Sequence, residues 1–233
     1  MIPLRDNVPS RRPPIIVLLL IAANAVVFLR ELSLPPQQLE KLFLLWGMVP
    51  RRLTDPAWAR QVGFPDGPVP AAATFFTSMF LHGGWLHVIG NMWWLWLFGD
   101  NVEDRLGHLP FLGFYLICGL GAGGLHFVVY RHSALPTIGA SGAVAGVMGA
   151  YLLLYPRARI LTLVPIFFLI TFIEIPAVIV LGFWFFIQLN NGVAALSRPE
   201  AFSGVAFWAH VGGFLAGMAL LFVFPHSGTK GRR

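Results

Sequence analysis

Ile138-Gly139-Ala140-Ser141-Gly142-Ala143-Val144-Ala145-Gly146-Val147-Met148-Gly149-Ala150-Tyr151-Leu152-Leu153-Leu154-Tyr155 contains no charged residue, and Pro156 and Arg157 follow it. A helix rises about 1.5 Å per residue, so this run is about 27 Å long. A bilayer hydrocarbon core is about 30 Å thick. The segment therefore reads as a membrane span with one serine near its start. Similar apolar blocks flank it, and together they give six spans at 14–31, 75–98, 110–130, 138–155, 172–190 and 204–224, each bounded by charges, prolines or glycine clusters. An even number returns both termini to one side.

The composition agrees with lipid as the solvent. The 233 residues are 57% hydrophobic and 11% charged, against about 45–50% and about 25% in soluble domains. We expect an all-α polytopic membrane protein, a six-transmembrane-helix bundle. It divides into a cytoplasmic N-terminal segment (1–13), a membrane domain (14–225) with a long external loop at about 32–70, and a basic cytoplasmic tail (226–233). The formal charge of +6 does not point to nucleic acid, because the basic residues lie between apolar blocks and at the ends. Arg5, Arg11 and Arg12 precede the first span, and Lys230, Arg232 and Arg233 follow the last, which places both termini in the cytoplasm under the positive-inside rule. Arg51, Arg52 and Arg60 in the external loop oppose that orientation, whereas Arg157 and Arg159 support it. Arg11-Arg12 with Ala23-Asn24-Ala25 is also similar to a signal peptide with a small-x-small site. Residues 26–29 carry the apolar run beyond that site, so we read an anchor.

The single cysteine, Cys118, excludes an intrachain disulfide and a multi-cysteine metal site. It reads as a packing residue. Phe98 to Gly107 reads as a short polar turn in which Glu103 and Arg105 are solvated. Residues 163–176 are apolar but hold Pro165, Glu174 and Pro176, and read as an interfacial approach to the fifth span.

Polar side chains inside a bilayer are expensive and mark function by default. Three places draw that reading. In Phe80-Leu81-His82-Gly83-Gly84-Trp85-Leu86-His87-Val88-Ile89-Gly90-Asn91, His87 and Asn91 are four apart and share a helix face. They can donate to one point, or act as structural glue between helices. His82, five residues before His87, is badly placed for a shared metal and is read as supporting the loop or a water. In Gly139-Ala140-Ser141-Gly142, small residues leave Ser141 accessible at a helix N-terminus, where amides and the dipole favour an anion. Glycine-flanked serine also occurs as plain packing. In the last span, Gly213 and Gly217 form a GxxxG face suited to Gly142 and Gly146, which would bring His210 to Ser141. A neutral imidazole beside a serine can serve as general base. No embedded aspartate is available as a third member, so the expected unit is a dyad, with no metal and no cofactor.

In this order the three elements resemble the rhomboid family of intramembrane proteases, which combine His-x-x-x-Asn, Gly-x-Ser and His in spans two, four and six. Leu44-Leu45-Trp46-Gly47-Met48-Val49-Pro50 and Gly99-Asp100-Asn101-Val102-Glu103-Asp104-Arg105-Leu106-Gly107 also look like the family. The resemblance implies a serine endopeptidase of the bacterial plasma membrane whose site opens to the extracytoplasmic side. Ser141 would be the nucleophile and His210 the base. His87, Asn91 and the Ser141 amide would form the oxyanion hole. His82, Gly139, Gly142, Gly213 and Gly217 would support them. The implied partners are single-span membrane-protein substrates and the lipid bilayer. Nothing in the sequence fixes an oligomeric state.

One position departs from the pattern: many members carry an aromatic four residues after the serine, where this chain has Ala145. His210 must then be oriented by another group, with Trp208 a candidate. The alternative to a protease is an inactive relative that binds membrane proteins. A transporter lacks paired interrupted spans, and an aspartyl protease lacks a second embedded carboxylate.

Overall fold

The computed structural model describes residues 2–65, 67–166, 169–197 and 204–224. The elements run β1 (Ile2–Asp6), α1 (Ile15–Leu32), α2 (Pro36–Trp46), α3 (Pro50–Thr54), α4 (Pro56–Gln61), short helical turns from 71 that include α5 (Thr74–Thr77), α6 (Trp85–Leu106), α7 (His108–Val129), α8 (Ser141–Leu154), β2 (Arg159–Ile166), β3 (Leu169–Pro176), α9 (Ala177–Ser197) and α10 (Phe207–Leu220). Of these, α1, α7 and α9 are long and apolar enough to cross a membrane. The shorter apolar helices α8 and α10 have 14 residues each.

Small residues let α8 and α10 approach closely. A Cβ on Gly213 would collide with the backbone carbonyl of Gly142, and one on Gly217 with that of Gly146. Lipid tails are as apolar as leucine, so helix association in a membrane draws on such close van der Waals contact. Around this pair the core gathers Phe98, Phe111, Phe114, Tyr115, Cys118 and Phe214. Cys118 is a buried free thiol.

Four expectations from the sequence are corrected. The protein is mostly helical but not all-α: instead of an interfacial approach, residues 163–166 and 169–176 lie in the paired strands β2 and β3. Backbone groups there find partners across strands, and β1 adds antiparallel to β2, giving the order β1-β2-β3. Pro3 is tolerated because β1 is an edge, with a register shift between Pro3 and Arg5.

The second apolar block is not one helix either. It breaks at Leu81–Gly84, and α6 begins only at Trp85. Phe98 to Gly107 is not a turn, since α6 continues to Leu106 and ends at Gly107, whose φ is 89°.

Glu103 is not solvated. It is 1% exposed, and its two carboxylate oxygens accept from the backbone N–H groups of Ile16 and Val17 at 2.9 Å each. A carboxylate from α6 thus caps the first turn of α1, which has no capping side chain of its own. Arg105 also makes an interaction. The basic tail at 226–233 lies outside the described residues.

Candidate active site

Ser141 is the first residue of α8, and the backbone leading to it is pinned on two sides. Met48 and Thr137 exchange backbone hydrogen bonds at 3.1 and 2.9 Å, and the Gly139 N–H donates to the Ser78 carbonyl at 2.8 Å. Thr77 Oγ1 donates to the Trp46 carbonyl at 2.6 Å, so the 44–50 segment braces the approach to the serine. Because Ser141 opens a helix, its N–H is among the amides that the helix leaves without an internal acceptor.

Gly139 has φ of 120°, a conformation side chains rarely adopt. A Cβ there would also stand 2.5 Å from His87 Nε2 and 3.7 Å from Asn91 Nδ2. His87 and Asn91 therefore face the backbone two residues before Ser141. The Gly83 N–H donates to His87 Nδ1 at 3.3 Å. In a neutral ring that leaves the proton on Nε2, which makes the edge toward Gly139 a donor. Asn91 Nδ2 is buried and has no protein acceptor among the described residues. A small cavity of about 30 Å³ beside Ser141 is bounded by Met48, Ser78, Thr137, Gly139 and Ala206, space for about one water.

His210 lies in the first turn of α10. Its Nε2 is 2.8 Å from Ser141 Oγ, across 69 residues of sequence. The close contact of Gly213 and Gly217 with α8 sets this distance. On the other edge of the ring, Nδ1 is 2.8 Å from Oε1 of Gln188 in α9, and the Trp184 ring is centred 5.8 Å away. Sequence reasoning missed both residues, although a glutamine within an apolar block was a usable signal. Trp208 does not orient His210: its Nε1 donates to the Gly192 carbonyl at 3.0 Å.

His82 lies in the break before α6 and not on the helix of His87. Its N–H donates to the Glu31 carboxylate at 3.2 and 3.3 Å, and its ring meets His87 edge to face at 5.0 Å. His126, also missed, sits 3.0 Å from Thr137 Oγ1 and helps to hold the segment that precedes the serine.

A hydroxyl facing an imidazole at a helix N-terminus, with an imidazole N–H and a carboxamide N–H nearby, is equipped for acyl transfer. Residues 70–227, more than half of the chain, match the Rhomboid domain. The chain belongs to the rhomboid family. As a rhomboid it has a polytopic membrane fold, and β1 and α1–α4 lie before the matched region. It is 32% identical over 157 residues to RHOMBOID-like protein 6, mitochondrial, of Arabidopsis thaliana, covering 66% of this chain and 45% of that protein. It is 35% identical over 101 residues to Rhomboid protein 1, mitochondrial, of Saccharomyces cerevisiae (41% and 29%). With Rhomboid-like protein 11, chloroplastic, of Arabidopsis thaliana, it shares 38% over 77 residues (33% and 27%). The rhomboid matches thus span less than half the length of these relatives.

Proposed function

We propose that this rhomboid is an intramembrane serine endopeptidase that hydrolyses peptide bonds in or near transmembrane segments of single-span membrane proteins. The observation that carries the reading is the 2.8 Å approach of His210 Nε2 to Ser141 Oγ. Ser141 attacks the scissile carbonyl while His210 takes its proton, then returns it to the leaving amine. The resulting acyl-enzyme is hydrolysed by water. His87, Asn91 and the Ser141 amide stabilise the oxyanion; the preceding Gly139 keeps that edge open. The substrate segment must unwind locally, because a helix keeps its carbonyls bonded internally.

The reading includes six spans, both termini in the cytoplasm and a bacterial plasma membrane, supported by the basic flanks. Reporter fusions test the orientation: an extracytoplasmic C-terminus would overturn it. The activity is tested on detergent-purified protein with a fluorophosphonate probe. Labelling that disappears in both Ser141→Ala and His210→Ala is the expected result. Absence of labelling and of cleavage in the wild type would favour an inactive membrane-protein binder instead.

A further inference from the structure

Among the described residues around the paired serine and histidine, Gln188 is a polar group in direct contact with His210 that the dyad description leaves unused. Its helix leaves Phe183, Phe186 and Ile187 exposed, yet Gln188 is 8% exposed. On α9, residues 184, 188 and 192 recur at four-residue spacing and form one stripe. All three meet α10. Trp184 lies against His210 and Phe214 at 5.8 and 6.0 Å, Gln188 Oε1 reaches His210 Nδ1 at 2.8 Å, and the Gly192 carbonyl accepts from Trp208. The amide is therefore held in register from both sides.

We infer that Gln188 is the positioning residue of the Ser141–His210 pair, a neutral third member that fixes the tautomer and direction of the imidazole. The inference rests on the protease reading. A carboxamide oxygen can only accept, so Nδ1 carries the proton. Nε2 then presents its lone pair to Ser141 Oγ, as a general base requires. When the serine proton moves to Nε2 the ring becomes an imidazolium, and its Nδ1–H bond to the amide dipole strengthens because the donor is now charged. An uncharged acceptor avoids the cost of a buried carboxylate in this setting. Trp184, its ring tilted by 37° at 5.8 Å from that of His210, is the aromatic neighbour that Ala145 cannot be.

The test has two arms. NMR of protein with isotope-labelled imidazole nitrogens, assigned by comparison with His210→Asn, is expected to find His210 in the Nδ1–H form; an Nε2–H ring would overturn the role without any Gln188 variant. In the second arm, cleavage of a model transmembrane substrate is measured. Gln188→Met is expected to lower kcat by about 10–100-fold with KM changed by less than about twofold, the scale of one unsatisfied buried donor. Gln188→Glu keeps an acceptor oxygen in either protonation state and is expected to recover most of that loss. A purely structural glutamine would lower the melting temperature of Gln188→Met and leave kcat intact. A fully active Gln188→Met beside an active wild type overturns this role alone. A wild type that neither cleaves nor labels overturns the protease reading and this role together.

Discussion

Gly213 lies directly against the backbone carbonyl of Gly142, one residue after the proposed nucleophile and three after the proposed base. The contact ties the distance between Ser141 and His210 to the bare backbone of two glycines. In Gly213→Ala the added methyl meets that carbonyl, so α10 must retreat. We expect a loss of about 1–3 kcal/mol from overpacking and a larger fall in cleavage than in substrate binding. Thermal unfolding in detergent and steady-state kinetics check this, with Gly182→Ala, where a methyl meets nothing within 4 Å, as the control that keeps its turnover and loses no stability, alanine being the better helix former.

Ser141→Ala and His210→Ala are each expected to abolish cleavage of a model transmembrane substrate while expression and melting temperature hold. The double variant should be no worse than either single one, because the two side chains form one proton-transfer unit. Near-wild-type turnover in either single variant, or inhibition by a metal chelator, would sink the dyad.

Asn91 cannot trade a proton; its buried Nδ2 can only donate. Loss of one oxyanion donor costs about 10²–10³ in rate. With His87 and the Ser141 amide still present, Asn91→Ala is expected at or below the low end of that range, chiefly in kcat. Unchanged turnover with a lowered melting temperature would make the His87/Asn91 face structural.

Glu103 lies about 24 Å along α6 from His87, and so separates stability from chemistry. Glu103→Ala strands the Ile16 and Val17 amides and removes the partner of His108. The expected cost is about 2 kcal/mol or more, with turnover of the folded fraction unchanged. Glu103→Gln, which has one acceptor oxygen left, should fall between. Thermal unfolding and kinetics at a permissive temperature read both quantities.

Asp6 at the end of β1 accepts from the Tyr151 hydroxyl and from Asn101 Nδ2. Burial holds its carboxyl above the ordinary carboxylate range, although the Tyr151 bond opposes that shift. A carboxyl raised in the folded state favours folding when protonated. That contribution is complete below the unfolded value of about 3.9 and is lost as pH rises through the raised folded value. We expect β1 to be held most firmly in acid and to loosen toward neutral pH, and Asp6→Asn to flatten the trend. Hydrogen-exchange protection of β1 amides, corrected for intrinsic rates, measures it between about pH 4 and pH 8. A trend of equal slope in Asp6→Asn would assign the dependence to another group.

The sequence by itself determined the membrane character, the order of the apolar blocks, the shared face of His87 and Asn91, and the place of Ser141 at the start of an apolar helix. These follow from composition and from helical periodicity, which are local properties. It also pointed to Gly213 and Gly217 as a face for Gly142 and Gly146, because glycine at four-residue spacing permits only a few close packings. Tertiary structure alone decided the rest. Gln188 meets His210 across 22 residues, Glu103 caps Ile16 across 87 and Tyr151 reaches Asp6 across 145. A helix pattern tells which side of a segment turns inward, but not which partner it meets or at what height, since that depends on how every other helix packs. The pairing of β2 with β3 was hidden for a related reason: a short apolar run has the same composition as a strand or as a membrane-entering segment, and only the partner strands at 2–6 and 169–176 satisfy the backbone of β2.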